Sequence, residues 1–279
     1  MKGAEYYIAN IKPQDYKIKD IRANKPLCFM DKENTDLSMV IEEIDKVNII
    51  DEIKVNRSIK YCAPNNISIL LSTSKEYVKK AEKMYNNTFC NLNFHENSED
   101  KIKKLYINSK KVYDYLEIIQ IAIVFSYTTL EAFANTSIPE DYNYEIKNNK
   151  GIIEKYDKNG IERWLSLKDK VSNVLVELFE TGDIKKEKFW SQFCELEKIR
   201  NSIIHQKSIN GRDFYKQYFD VKIFELCKVS EEIIKFFIDN NKSSLVCPMW
   251  PWIIGAKNLI PISQNVNDNI ELIGNIFDD

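Results

Sequence analysis

Residues 98–136 read SEDKIKKLYINSKKVYDYLEIIQIAIVFSYTTLEAFANT and contain neither glycine nor proline. Ser98 suits a helix N-cap, and the acidic residues after it suit the positive end of the helix dipole. Because Pro139 cannot continue a helix, the segment predicts one long helix over about residues 98–136. Its apolar side chains recur in steps of three and four, which predicts a stripe facing other helices: Ile102, Leu105, Val112, Leu116, Ile119, Ile123, Leu130 and Phe133.

The chain after Pro139 has no proline before Pro248, and glycines at 151, 160, 182 and 211 punctuate it. A polar connector over 141–159 leads to three more predicted helices, over 162–181, 184–208 and 213–240. A shorter helix over 74–85 precedes them. Because the links are short, we predict a mainly α fold, an antiparallel bundle of four to five helices. The predicted stripes of the second and fourth helices are Trp164, Leu167, Val171, Val174 and Leu178, then Phe219, Ile223, Leu226, Ser230, Ile233 and Phe237.

The two flanks differ from the central region in composition. Residues 1–97 contain short apolar runs at 27–30, 39–41 and 67–71, which predict a smaller α/β or irregular accessory region of unknown function. The tail over 242–279 contains Pro248-Met249-Trp250-Pro251-Trp252, which cannot form a helix interior, and we expect it to pack on the bundle. The predicted division is therefore 1–97, 98–241 and 242–279.

Composition excludes several classes of protein. The 279 residues include 40 Lys and Arg against 42 Asp and Glu, so the net charge is −2, which argues against a general nucleic-acid coat protein. Two histidines, His95 and His205, are too few for a His-rich metal site. Six widely and irregularly spaced cysteines favour reduced thiols over a zinc site or a disulfide scaffold. The first residues lack a signal-peptide core and the apolar run over 118–130 is too short for a bilayer, so we expect a cytoplasmic protein without a membrane segment.

One segment of the third predicted helix combines residues that can perform chemistry. Residues 197–207 read EKIRNSIIHQK, whereas phosphate-cradling glycine loops and common hydrolase motifs are missing from the sequence. At about 100° per residue, Glu197, Asn201 and His205 share a face that also carries Trp190 and Cys194. Arg200 lies between this face and the core stripe, which is Phe189, Phe193, Leu196, Ile199 and Ile203.

Arg200-Asn201-x-x-x-His205 resembles the Arg-x(4–6)-His signature of the HEPN superfamily, in which a polar residue often follows the arginine. Residues 127–135, YTTLEAFAN, are similar to the end of the first long helix in many HEPN proteins. A helix preceding the motif helix is a further similarity. The resemblance covers roughly residues 98–240 and leaves both flanks outside it.

The resemblance implies an endoribonuclease that needs neither metal nor cofactor, with Arg200, Asn201 and His205 as catalytic residues. Imidazole can accept a proton from a ribose 2′-OH and donate one near neutral pH, and guanidinium matches phosphate oxygens. Asn201 would orient His205 or bind the scissile phosphate. Lys198 and Lys207 would add substrate-binding positive charge near the motif, as would Arg212.

The resemblance also implies a homodimer, because each chain has one suitable histidine and HEPN ribonucleases pair two motifs around one cleft. The implied role is that of a toxin or phage-defence effector, with an antitoxin or activating partner recognised through the N-terminal region.

His205 and Arg200 could instead have purely structural roles. His205 would then be a helix C-terminal residue bonded to backbone carbonyls, and Arg200 a structural ion pair with Glu197 or Glu131. We expect Glu131 to be a capping charge rather than a partner of the site, and Cys194 to be a packing residue. The alternative function is a non-catalytic HEPN-like dimerisation, sensor or adaptor module.

Overall fold

A computed structural model of the chain describes residues 5–9, 20–24, 27–30, 38–50, 56–90, 101–147, 151–205, 214–243, 262–263 and 271–275. These residues are mainly helical, which confirms the predicted class. Contacts divide the chain into two units. The first combines residues 1–69 with 243–279, and the second comprises residues 70–242.

The first unit is built on a six-stranded sheet whose longest strand is β3. The strands are β1 (Glu5–Ala9), β2 (Leu27–Met30), β3 (Ser38–Ile50), β4 (Asn56–Cys62), β7 (Ile262–Ser263) and β8 (Glu271–Asn275). β3 pairs antiparallel with β1, β2 and β4, whereas β7 and β8 pair parallel with β2 and β1. Because Ile44 pairs with both Glu5 and Cys62, β1 and β4 lie on opposite sides of β3.

The C-terminal segment belongs to this sheet, and this differs from the predicted division. We expected residues 242–279 to pack on the bundle, but two of their strands extend the sheet that begins at Glu5. The boundary after the N-terminal region also moves, from residue 97 to residue 69. The reason is physical: strand pairs between residues far apart in sequence leave no local periodicity to detect. The Pro248–Trp252 segment lies outside the described residues.

The second unit contains most of the helices. They are α1 (Asn66–Met84), which begins in the first unit and continues as a π-helical turn (Tyr85–Cys90), α2 (Lys101–Ser137), α3 (Lys158–Trp164), α4 (Leu167–Asp169), α5 (Leu175–Leu178), α6 (Phe189–Ile204), α7 (Lys222–Leu226) and α8 (Val229–Asn240). A π-helical turn (Lys170–Val174) joins α4 to α5, and short 3-10 turns lie at Ile184–Lys186 and Lys216–Phe219.

Helices α2, α6 and α8 contact one another and enclose the core. The predicted stripe of α2 is buried from Leu116 onward, whereas Ile102 and Leu105 are 68% and 64% exposed, so the core assignment of these two was wrong. A buried polar contact joins α2 to the last helices, because Ser126 Oγ donates to the Cys227 carbonyl over 2.8 Å. Ser126 and Ser230 hydroxyls also lie 3.0 Å apart. Among the described helices, α2 is long and apolar enough to cross a bilayer, but half of its most apolar window is buried inside the protein, as in the core helix of a globular domain.

Three predicted helices are interrupted or shortened. The predicted helix over 162–181 breaks at Leu165 and Ser166, both extended, and Ser166 caps the next turn by accepting from the Asp169 amide. As a result Trp164, predicted to be in the core, is 75% exposed. The predicted helix over 213–240 is likewise divided, although its buried stripe from Ile223 to Phe237 is confirmed. The predicted helix over 184–208 begins with a 3-10 turn at Ile184–Lys186, and its α-helical part runs from Phe189 to Ile204, because His205 leaves the helical conformation as the C-cap. The N-cap predicted at Ser98 lies outside the described residues.

The predicted polar connector contains a β-hairpin. Strands β5 (Tyr144–Lys147) and β6 (Ile153–Tyr156) pair antiparallel and pack with Ile138, Ile161 and Val174. Gly151, in the turn between them, has a φ of +80°.

Gly151→Ala should destabilise the protein by about 1 kcal/mol, because a Cβ at positive φ is strained. Gly182→Ala is the matched control, since nothing lies within 4 Å of the added Cβ and its φ is not in the strained range. Urea unfolding of both variants measures the difference. Equal midpoints would contradict the left-handed conformation at Gly151.

Candidate functional site

The predicted catalytic residues all lie at the C-terminal end of α6. Phe193, Leu196 and Ile199 are buried on its inner face, which confirms most of the predicted stripe. This packing directs Asn201 and His205 to the surface, where both are exposed. α6 ends at Ile204, and His205 is its C-cap, with its backbone N–H donating to the Asn201 carbonyl over 2.9 Å.

Arg200 is held against α2 by three different contacts. Its guanidinium carbon lies 4.6 Å from the centroid of the Tyr127 ring, a cation–π contact. Its Nη2 lies 4.0 Å from Glu131 Oε2, and its Nη1 donates to Asn201 Oδ1 over 3.0 Å. These contacts hold the planar group in place but leave donor capacity. Within the part of the chain that the structure describes, Arg200 Nε is buried and has no hydrogen-bond partner.

Tyr127 connects Arg200 to a second carboxylate. Its hydroxyl donates to Glu197 Oε1 over 3.2 Å. Burial raises the pKa of Tyr127 well above its usual value, and the charges of Glu197 and Glu131 raise it further. Tyr127 therefore stays a neutral hydrogen-bond donor over the physiological range.

Glu131 is not the capping charge that we expected. It lies inside α2, six positions before the helix ends at Ser137, and it faces Arg200. The ion pair with Arg200 that the structural interpretation predicted is present, but at 4.0 Å it is long. Because the Arg200 and Glu131 side chains are 21% and 40% exposed, solvent screens it further.

The predicted accessory residues have different positions. Lys198 is exposed on α6, where its carbonyl accepts from the Ser202 hydroxyl over 2.9 Å. Lys207 and Arg212 lie outside the described residues. Cys194 is half-buried and free, and Trp190 packs on Phe193 with ring centroids 5.3 Å apart.

The spacing of residues along the sequence does not point to Lys170, a buried residue that contacts Asn135 on α2. This lysine is 3% exposed, and its Nζ donates to Asn135 Oδ1 over 2.8 Å and to the Glu162 carbonyl over 2.9 Å. Burial lowers its pKa, and the charges of Glu131 and Glu162 oppose that effect. The sequence feature that could have pointed to a buried lysine is that Lys170 directly precedes Val171, a residue of a predicted core stripe.

Within the described ranges, no three His, Cys, Asp or Glu side chains come together as a metal-binding group. The arrangement offers instead a fixed guanidinium, an amide and an exposed imidazole at one helix end. Such a set can bind an oxyanion through the guanidinium and hydrogen-bond a substrate through the amide and the imidazole. Comparison of the chain with models of protein families, with curated proteins and with solved structures finds no match.

Proposed function

We propose that this protein is a metal-independent endoribonuclease of the HEPN type, acting as a toxin or phage-defence effector. The observation that carries the proposal is the placement of Arg200, whose guanidinium stacks on Tyr127 and retains a buried Nε without a partner among the described residues. Asn201, which accepts a hydrogen bond from Arg200 Nη1, and the C-cap residue His205 are both exposed at the same end of α6. The helices α2, α6 and α8, which contact one another, are the core of the proposed HEPN-like antiparallel bundle.

The proposed chemistry is attack by a ribose 2′-oxygen on the adjacent phosphorus. One imidazole takes the 2′-OH proton, the bond from phosphorus to the 5′-oxygen breaks, and an imidazolium returns a proton to the leaving oxygen. The products are a 2′,3′-cyclic phosphate and a 5′-hydroxyl. Arg200 would stabilise the extra negative charge on the phosphorane, because guanidinium binds two phosphate oxygens at once.

The proposal includes a homodimer that pairs two α6 helices. One chain supplies one histidine to the site, so a two-fold axis near the end of α6 would bring two copies of His205 to one cleft. The exposure of Asn201 and His205, and the 50% exposure of the apolar Ile204 between them, leaves this end of α6 available for such contact. Lys198 would then face the substrate strand.

Purified protein in EDTA should cleave a labelled single-stranded RNA and leave 2′,3′-cyclic phosphate ends. Chromatography of the ends identifies the chemistry, and sedimentation at the assay concentration gives the oligomeric state. Intact RNA at concentrations where the protein is dimeric would contradict the proposal. Cleavage that requires added Mg²⁺ would contradict the metal-independent mechanism.

Arg200→Lys should lower kcat/KM for RNA by about tenfold or more, because lysine keeps the charge but loses the planar fork and the stacking on Tyr127. Arg163→Lys is the matched control, since Arg163 is exposed on α3. Steady-state cleavage of one fluorogenic RNA substrate compares the two variants. Equal activities would remove Arg200 from the proposed site.

A non-catalytic sensor or adaptor is the second candidate. It is favoured by the β3–β4 ribbon, where Val47, Ile49, Ile59 and Tyr61 lie on one face and are 40–48% exposed. An apolar strand surface of this kind suits a protein partner such as an antitoxin or an activator. Binding of a partner by a protein that leaves RNA intact would favour this function.

A further inference from the structure

A buried ammonium group, that of Lys170, has no tight ion pair among the residues that the structure describes. The Nζ atom of Lys170 has two hydrogen-bond acceptors, the Asn135 side-chain oxygen and the Glu162 carbonyl, and both are uncharged. A charge buried to 3% exposure is costly unless an opposite charge lies near it. A carboxylate close to Lys170 would offset this cost.

Two carboxylates act on Lys170, and the charge of Glu131 has a larger effect than that of Glu162. Both charges oppose the lowering of the Lys170 pKa by burial. Glu131 precedes Asn135 by one helical turn on α2, so both side chains are on the face that meets Lys170. The Glu131 carboxylate also lies 4.0 Å from Arg200 Nη2. Glu131 thus faces two cations, and it forms a tight pair with neither.

Lys170 adds a second positive charge to the groups around Glu131, and the Glu162 carboxylate, whose effect on Lys170 is smaller than that of Glu131, adds a negative one. Glu131 and Glu197 contribute two negative charges, and Arg200 and Lys170 contribute two positive charges. If Lys170 were absent, Arg200 would face both carboxylates alone. It would then be drawn into a closer pair with Glu131, and the site would repel a phosphate.

The π-helical turn explains how a lysine reaches this position. Four of its five residues are buried, Lys170, Val171, Ser172 and Val174, so the turn presents a wider inner face than a regular helix does. The Lys170 amide donates to the Ser166 carbonyl, which ties the start of the turn to the capped α4.

We infer that Lys170 is a positioning residue, whose buried charge balances Glu131 and so leaves the Arg200 guanidinium available to a substrate phosphate. This inference deepens the proposed ribonuclease function and depends on it for the identity of the anion. Lys170 itself does not reach the substrate, since it is buried behind α2.

Lys170→Met should raise KM for RNA by about tenfold, with a smaller change in kcat, because one uncompensated charge a few ångströms from Arg200 has an effect of this size. Lys168→Met is the matched control, since Lys168 is exposed two residues earlier. The double variant Lys170→Met/Glu131→Gln should recover KM to within about threefold of wild type, because the excess negative charge is removed. A merely structural role predicts no recovery, since Asn135 and the Glu162 carbonyl remain without their donor.

A second measurement does not require RNA. Phenylglyoxal modifies arginines, and mass spectrometry follows the peptide containing Arg200. The rate at Arg200 should fall in Lys170→Met, because a closer carboxylate covers the guanidinium, and it should return in the double variant. If wild-type protein neither cleaves nor binds RNA, the ribonuclease proposal fails, and these rates alone decide the role of Lys170.

An unchanged Arg200 rate in folded Lys170→Met, or a lowered rate that Glu131→Gln does not restore, would overturn the inference. If Lys170→Met does not fold, Glu131→Gln alone carries the test. Its Arg200 rate should exceed that of wild type, and an equal or slower rate would overturn the inference as well.

Discussion

His205→Ala should abolish RNA cleavage in EDTA while leaving the thermal unfolding midpoint close to that of wild type. Loss of a group that transfers protons typically costs a factor of about 10² to 10⁴ in rate. Two copies of His205 would be lost from one dimeric site, so we expect the upper end of this range. The measurement is single-turnover cleavage of a labelled RNA.

Stability should be unaffected because, among the described residues, the contact that His205 makes at the helix end uses its backbone. Its N–H donates to the Asn201 carbonyl, and alanine keeps that bond. The side chain is exposed, so little apolar area is lost on truncation. A lower rate in this variant therefore reports chemistry rather than unfolding.

His95→Ala is the matched control, since His95 is the other histidine of the chain. It should cleave RNA at the wild-type rate. Growth after expression gives an independent comparison: wild type should be toxic and His205→Ala should not be. Strong toxicity from both proteins, or undiminished cleavage by His205→Ala, would contradict the catalytic role.

The largest effect on stability is expected for Phe133→Ala. Phe133 is fully buried, and its ring centroid lies 6.1 Å from that of Phe179 and 6.3 Å from that of Phe237. Removing such a ring leaves a cavity and typically costs about 3–5 kcal/mol in the free energy of unfolding. Phe133 also lies two residues from Glu131, so its loss should loosen the part of α2 that holds Arg200.

Trp164→Ala is the matched comparison, because the apolar spacing predicted a core position for Trp164 as well. Trp164 is 75% exposed in the structure, so its truncation should cost less than about 0.5 kcal/mol. Urea unfolding, monitored by circular dichroism and fitted with a shared m-value, gives the free energy of unfolding of both variants. Equal destabilisation would show that the break between α3 and α4 is misplaced.

Local patterns predicted the helical core and the inner face of α6. The stripes of α2 from Leu116 onward and of α8 follow the helical period, and that period is set by residues within a few turns. The spacing of Glu197, Asn201 and His205 likewise predicted their common face. Capping at Ser166 interrupts a helix whose apolar spacing continues across the break, so spacing could not locate the break.

In the candidate site, too, some residues could be predicted from local spacing and others could not. Arg200, Asn201 and His205 were identified because they are neighbours on one helix. Lys170 was not, because its partner Asn135 lies 35 residues earlier and is brought to it by the packing of the π-helical turn on α2. Glu131 could not be assigned for the same reason, since its role depends on the two cations that packing places beside it.

Residue order alone therefore predicted the mainly helical class, the buried stripes of α2 from Leu116 onward, of α6 and of α8, and the grouping of Arg200, Asn201 and His205 at the end of α6. Tertiary packing established which charges surround Arg200, that the terminal strands join one sheet with β1 and β2, and that the exposed start of α2 has no core role. The physical reason is the distance along the sequence between the residues that interact. Helical periodicity arises from neighbours a few residues apart, whereas charge balance and strand pairing depend on segments that meet only after folding.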